Sequence, residues 1–146
     1  MFHVKQNKYY IPEKEDLFVG YNCEICWDYT DPFWIPSNLD IIELQMYLNK
    51  EEGMSIQTKY LDREDIESLG FKLIYSPPDS TFETNRYIKG NEFEDGTIWI
   101  NHSPLINHVT IISNDMGWGN MGREKSIKFK GKCPSINELR KILKLI

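Results

Sequence analysis

The closing segment of the chain constrains the fold more than any other part. Over 126–132 the residues alternate, so that Ile127 and Phe129 are predicted to face one way and the intervening lysines the other, as in a half-buried strand. Ser135, with Glu138 three residues later, has the pattern of a capping box at the start of a helix. The helix has an apolar stripe formed by Ile136, Leu139, Ile142, Leu143 and Ile146. The chain is therefore predicted to end in a strand and an amphipathic helix that packs on a sheet.

Other strands are predicted from alternation and from β-branched content. The residues from Val19 to Trp27 alternate with a period of two, which predicts a half-buried strand. Segments 97–102 and 108–113 are rich in isoleucine, valine and tryptophan, and we expect them to pair antiparallel across a short connector. Shorter strands are expected at 55–60, 71–75 and 86–89.

Two short helices are expected before the closing one. The first lies within 38–50 and ends before Gly53. The second lies near 62–69, where Asp62 suits the N-cap and Gly70 suits the left-handed position after the C-cap. Because strands follow one another and the helices stand apart from them, we expect a single α+β domain over 1–146. Its sheet is predicted to be mostly antiparallel, with the C-terminal amphipathic helix packed on it.

Composition and cysteine usage indicate a cytoplasmic, soluble protein. The chain has 146 residues, of which 40% are hydrophobic and 27% charged, as in ordinary globular domains. Neither a signal peptide nor a membrane span is expected, since no long apolar segment occurs. Three cysteines, an odd number, favour a reducing compartment over a disulfide framework.

Three patterns resemble those of catalytic, metal or cofactor sites, but we expect none of them to form such a site. Cys23 and Cys26 have C-x-x-C spacing, but a strand sends them to opposite faces. Segment 117–122 matches G-x-G-x-x-G, but no helix N-terminus follows it to bind a pyrophosphate. His102 and His108 flank a connector and could face each other to bind a metal or share a proton, although half-exposed strand ends are commoner.

Positive charge is concentrated near the C-terminus. Residues 120–146 carry eight basic and two acidic side chains, whereas residues 1–119 carry nine basic and twenty acidic ones. The lysines of 126–132, which include Lys128 and Lys130, could bind the phosphates of a nucleic acid or a small nucleotide, together with Arg123, Lys125 and the glycine-rich loop. The competing interpretation, which we favour, is that outward lysines protect an edge strand from pairing and that the helix cations complement the helix dipole.

Aromatic residues in loops suggest a surface that binds another protein. Phe33 and Trp34 lie between two prolines, and Trp118 lies between two glycines. Loop tryptophans that find no core pocket are typical interface anchors. The alternative is that they fold back and cover the ends of the sheet.

Three stretches carry a resemblance to a known group of proteins, namely 9–16 with 19–24, then 59–71, and last 129–131 with 136–139. The most specific is Lys59-Tyr60-Leu61-Asp62-Arg63-Glu64-Asp65-Ile66-Glu67-Ser68-Leu69-Gly70-Phe71. Together they resemble small uncharacterised proteins of gut Bacteroidota and their phages, including crAss-like phages. The resemblance implies an intracellular protein of a phage, acting in the host cytoplasm, or of a host with related genes. It carries over no functional residues.

We therefore expect a non-catalytic intracellular binding protein that engages another protein, with a host or defence factor as the candidate partner. The first alternative is a nucleic-acid or small-nucleotide binder that uses the basic C-terminal strand and the glycine-rich loop. The second is an enzyme that uses Glu24, the histidine pair or the loop at Asp115, for which the sequence offers no catalytic pattern.

Overall fold

The computed structural model describes residues 8–28, 33–49, 53–76, 84–91, 96–115 and 124–146. Within these ranges the chain forms an α+β fold with a four-stranded sheet, a five-stranded sheet and three α-helices. The expected fold class is thus confirmed. The chain divides into two compact units, Met1–Tyr60 and Leu61–Ile146. In the part that the structure describes, no helix has both the length and the apolar character needed to cross a membrane.

The first unit contains a four-stranded antiparallel sheet with the order β1-β4-β2-β3. Its strands are β1 (Tyr9–Tyr10), β2 (Asn22–Trp27), β3 (Ile35–Asn38) and β4 (Met54–Lys59). Strand β2 confirms the alternation predicted over 19–27, although it starts three residues later and leaves Val19 exposed. The short strand β3 was not predicted. Pro36 lies within it, and a proline at this position indicated only that the segment is not helical. An edge position accommodates that proline.

Helix α1 (Ile41–Leu48) begins at a capping box that the sequence analysis did not identify. The Asp40 carboxylate accepts a hydrogen bond from the Glu43 amide at 2.7 Å, and the Asp40 amide donates to the Glu43 carboxylate at 3.1 Å. These two bonds satisfy donors that a helix N-terminus otherwise leaves unpaired. The core beside this helix consists of Tyr21, Cys23, Ile25, Leu39 and Ile56.

The second unit contains a five-stranded antiparallel meander with the order β5-β6-β7-β8-β9. Its strands are β5 (Lys72–Tyr75), β6 (Asn85–Lys89), β7 (Ile98–Ser103), β8 (His108–Asp115) and β9 (Glu124–Lys132). The pairing of β7 with β8 is the predicted antiparallel pair. Strand β9 lies at an edge of the sheet, as the interpretation of its lysines required.

Two helices close this unit, and both start at the predicted caps. Helix α2 (Arg63–Ser68) begins where the Asp62 carboxylate accepts from the Asp65 amide at 2.9 Å, and Gly70 follows it with a φ of +94°. Helix α3 (Ile136–Lys144) begins where the Ser135 hydroxyl accepts from the Asn137 amide at 3.2 Å. The Glu138 carboxylate accepts a hydrogen bond from that same hydroxyl, so Glu138 reinforces the cap through the Ser135 side chain.

One face of the five-stranded sheet forms the core of the second unit. Residues directly opposite each other in an antiparallel ladder share a face, so the register assigns each side chain to a side. One side carries the buried strand residues Tyr87, Ile100, Val109 and Ile111. These residues cluster with residues of the helices, namely Ile66, Ile136 and Leu139. We call this side the helical face.

A β-bulge in β9 corrects the predicted orientation of two side chains. Ile111 lies opposite Phe129 but Ile112 lies opposite Ile127, which leaves Lys128 as the extra residue. Because Ile111 and Ile112 point to opposite faces, so do Phe129 and Ile127. Phe129 packs against the core of the helical face, whereas Ile127 is 63% exposed. The expectation that Ile127 and Phe129 face the same way is therefore wrong.

The bulge makes a clear prediction about stability. Phe129→Ala should lower the free energy of unfolding by about 2–3 kcal/mol, since it removes a ring packed on the core. Ile127→Ala should change it by less than about 0.5 kcal/mol, since most of that side chain is in water. Urea unfolding followed by circular dichroism would measure both values. Similar losses in the two variants would contradict the bulged register.

Candidate functional site

Three consecutive apolar side chains are exposed at one edge of the four-stranded sheet. Phe33 is 70% exposed, Trp34 38% and Ile35 46%. Ile35 begins the edge strand β3 and lies opposite the buried Ile25. We call Phe33–Ile35 the aromatic segment. A tryptophan and a phenylalanine side by side in solvent are typical of an interface, because each removes a large apolar area from water when it binds.

The edge strand beside the aromatic segment is poorly suited to pair with another strand. Pro36 lies in β3 opposite Glu24 and has no amide hydrogen to donate. A proline on an edge strand is one of the devices that prevent edge-to-edge pairing. Contacts at this edge would therefore be made by side chains.

Helix α1 also exposes apolar side chains. Leu44 and Tyr47 pack against the core of the first unit, whereas Ile41, Ile42 and Leu48 are exposed. No residue of this helix is fully buried. An amphipathic helix usually directs its charged residues to water, so an exposed isoleucine pair at its first turn adds to the apolar surface of this unit.

The five-stranded sheet carries positive charge on the side opposite the helical face. The register places five cations there, and all five are exposed: Lys72, Arg86, Lys125, Lys130 and Lys132. Among the described side chains on this side, none is acidic. We call this side the basic face. Lys72 and Arg86 belong to β5 and β6, and the three other cations belong to β9, so the charge lies along the two margins of the sheet.

Two of these cations lie over aromatic rings of the same face. The Lys125 Nζ atom is 4.6 Å from the centroid of the Trp99 ring, and the Arg86 Cζ atom is 5.8 Å from that of Tyr75. These are cation–π distances. Trp99 is only 8% exposed, whereas Tyr75 is 45% exposed. The rings hold the charged groups near the surface of the sheet.

The predicted binding residues fall into three groups. Phe33 and Trp34 lie together in the aromatic segment, and Lys130 lies on the basic face. Lys128 is exposed but is the extra residue of the bulge. Trp118 and Arg123, together with the glycine-rich loop 117–122, lie outside the described residues.

Sequence reasoning included Lys125 with the lysines of 126–132 but missed the contribution of Lys72 and Arg86 to the basic face. Lys72 and Arg86 carried little signal, because cations and apolar residues do not alternate regularly in β5 or β6. Alternation assigns a residue to a face of its own strand, but only the register of all five strands shows that these faces coincide.

The two histidines do not form a pair. His102 lies opposite Val109 and His108 lies opposite Ser103, so their rings point to opposite faces of the sheet. The possibility that they face each other is therefore excluded. His102 is buried in the helical face, and neither ring nitrogen has a hydrogen-bond partner among the described residues. Burial lowers the pKa of His102 to about 4, partly opposed by the negative charge of Asp62.

The three cysteines are free thiols in buried positions. Burial raises the pKa of Cys23 to about 12, with further contributions from the nearby Glu43 and Glu24. Burial raises the pKa of Cys133 to about 12 as well, reinforced by Glu138. Since the thiolate is the reactive and metal-binding form, both groups are inert at neutral pH in the folded chain.

No cluster of three or more histidine, cysteine or acidic residues suited to a metal ion occurs among the described residues. Glu24, which the enzyme alternative invoked, accepts a hydrogen bond from the Gln57 side chain at 3.2 Å on the neighbouring strand. A cross-strand contact of this kind contributes to the sheet.

Comparison with protein-family models, with curated proteins and with solved structures finds no match to this chain.

The buried His102 should make the stability of the protein depend on pH. Its pKa is near 6.5 in the unfolded chain and about 4 in the folded chain, so the unfolded chain binds more protons between these values. Stability contributed by the neutral ring is therefore present above about pH 6.5 and falls as the pH is lowered towards 4. Between about pH 7 and pH 5 this group should account for a loss of about 2 kcal/mol in the free energy of unfolding.

The measurement is urea unfolding over that pH range for the wild type, His102→Asn and the control His108→Asn. His102→Asn should lack the loss that the histidine causes, and His108→Asn should retain it. The same pH dependence in all three proteins would contradict the neutral buried state of His102.

Proposed function

We propose that this chain is a non-catalytic binding protein that engages another protein through the aromatic segment. The observation that carries the proposal is the exposure of Phe33, Trp34 and Ile35 side by side at a sheet edge. A few aromatic anchors commonly supply most of the binding energy of a protein interface. Truncation of such an anchor to alanine weakens the binding free energy by about 2 kcal/mol or more.

The charge balance of the first unit indicates the chemistry of the partner. Among the described residues of the first unit, acidic side chains outnumber basic ones by seven to three. A complementary partner therefore offers an apolar cleft for the two aromatic rings and a basic rim around it. Because Pro36 opposes strand addition, the contact is made by side chains.

The proposed setting follows the resemblance to small proteins of gut Bacteroidota and their phages. In this setting the protein acts in the cytoplasm of the bacterial host, and a host or defence factor is the candidate partner. The inert thiols of Cys23 and Cys133 and the separation of His102 from His108 support a role without catalysis.

The test is a pull-down from Bacteroidota lysate followed by binding measurements with the purified partner. The double variant Phe33→Ala/Trp34→Ala should weaken binding by about thirtyfold or more, the equivalent of one hot-spot anchor. Its free energy of unfolding should change by less than about 1 kcal/mol, because both side chains are partly in water already.

The matched control is Ile11→Ala/Val19→Ala, which truncates two exposed apolar residues elsewhere in the same unit. It should bind like the wild type. The proposal is wrong if the double aromatic variant keeps full affinity. It is also wrong if that variant loses several kcal/mol of stability, since Phe33 and Trp34 would then serve the core.

A further inference from the structure

We infer that the basic face of the five-stranded sheet binds single-stranded nucleic acid, independently of the protein-binding aromatic segment. The inference rests on the arrangement of charge across that face. Lys72 and Arg86 line one margin, and Lys130 and Lys132 line the other. Among the described residues, none of these four side chains forms a salt bridge.

The distance between the two charged margins suits an extended polyanion. Adjacent strands lie roughly 4.8 Å apart, so the four intervals from β5 to β9 span roughly 19 Å. Along β9, Lys130 and Lys132 are two residues apart, which is roughly 7 Å. A nucleic-acid strand that crosses such a surface meets cations at both margins, and their attraction to phosphates supplies affinity without sequence preference.

The centre of the basic face is neutral and can accommodate bases. Between the margins lie Trp99 and Asn101 on β7 and Thr110 and Ile112 on β8, all of which the register places on this side. Asn101 and Thr110 are half-buried and offer hydrogen-bonding groups at the surface. Unpaired bases fit such a floor, whereas a duplex keeps its bases stacked inside. This contrast is why a single strand is the proposed ligand.

The aromatic rings strengthen the case for bases over a simple polyanion. Tyr75, at the β5 margin, is 45% exposed and lies next to the Arg86 guanidinium. Stacking on an aromatic ring and electrostatic attraction from a neighbouring cation are the two elements by which proteins bind single strands. At the centre, Lys125 covers Trp99, and its flexible side chain can move to a phosphate when a base approaches the ring.

The distribution of acidic residues in this unit confines the interaction to one side. The described acidic residues near α2, namely Asp62, Glu64, Asp65 and Glu67, belong to the part of the unit that packs on the helical face. The basic face presents no described acidic side chain. The chain as a whole is acidic, with a net charge of −5, so attraction is restricted to short range and to low or moderate salt.

The experiment measures the anisotropy of a fluorescent oligo-dT and an oligo-U, each about twenty nucleotides long, with the intact chain over a range of salt concentrations. With all five cations engaged, the logarithm of the binding constant should fall against the logarithm of salt concentration with a slope of about −3.5. The variant Lys72→Gln/Lys130→Gln/Lys132→Gln should bind at least tenfold more weakly, with a slope shallower by about 2.

A matched control removes the same charge from other places. Lys14→Gln/Arg140→Gln/Lys144→Gln neutralises three exposed cations that are not on the basic face, and it should bind within about twofold of the wild type. Tyr75→Leu should weaken oligonucleotide binding about fivefold or more and leave the binding of polyglutamate unchanged. Circular dichroism would confirm that each variant is folded.

Several results would overturn the inference. One is the absence of oligonucleotide binding by the wild type at low salt, and another is an equal loss in the two triple variants. Equal or tighter binding of a duplex or of polyglutamate would show that the face does not select unpaired bases.

Discussion

The second unit depends on the pairing of β8 with β9 around a single extra residue. Between Lys132 and Phe129 the ladder is regular, and the Phe129 side chain points towards the helices. At Lys128 the register shifts by one residue, and the remainder of β9 continues with the opposite assignment of faces. Without the bulge, the side chains of Ile127 and Lys125 would both point to the helical face. With the bulge, Lys125 lies over Trp99 on the basic face.

This arrangement separates two tasks within one sheet. The helical face buries Ile100, Val109 and Ile111 against α2 and α3, which supplies the hydrophobic contribution to stability. The other face contributes little to that core and can therefore carry five cations. Ile88 and Ile112 on that face are half-exposed, and long cationic side chains tolerate such apolar neighbours because their methylene groups are apolar too. Edge protection by lysines and the binding of a polyanion are compatible uses of the same residues.

The sequence predicted those features that depend on neighbouring residues. The caps at Asp62 and Ser135 and the left-handed Gly70 follow from local hydrogen bonding and backbone preference, and all three are present. The strands of the meander followed from alternation and β-branched content. The bulge at Lys128 was not predictable, because a period-two pattern contains no signal for an inserted residue that keeps the strand extended.

The candidate sites also include features that neighbouring residues predict and features that depend on distant strands. Phe33 and Trp34 were recognised because an aromatic pair between prolines is a local feature, and their exposure agrees with a surface role. The basic face was predicted only in part, through the cations of the C-terminal strand, because its other margin comes from β5 and β6, which are distant from that strand in the sequence. Whether the two histidines share a face could not be derived from the sequence. The relative faces of His102 and His108 depend on the exact register of the hairpin, which the connector residues do not specify.

The register of β8 and β9 in solution is the most direct test of the bulge and of the two faces that it separates. Nuclear Overhauser effects between backbone protons report which residues lie opposite each other. The bulged register predicts cross-strand contacts that join Ile111 to Phe129 and Ile112 to Ile127. Contacts from Ile112 to Lys128 and from Ser113 to Ile127 would show an uninterrupted ladder. They would contradict both the bulge and the assignment of Lys125 to the basic face.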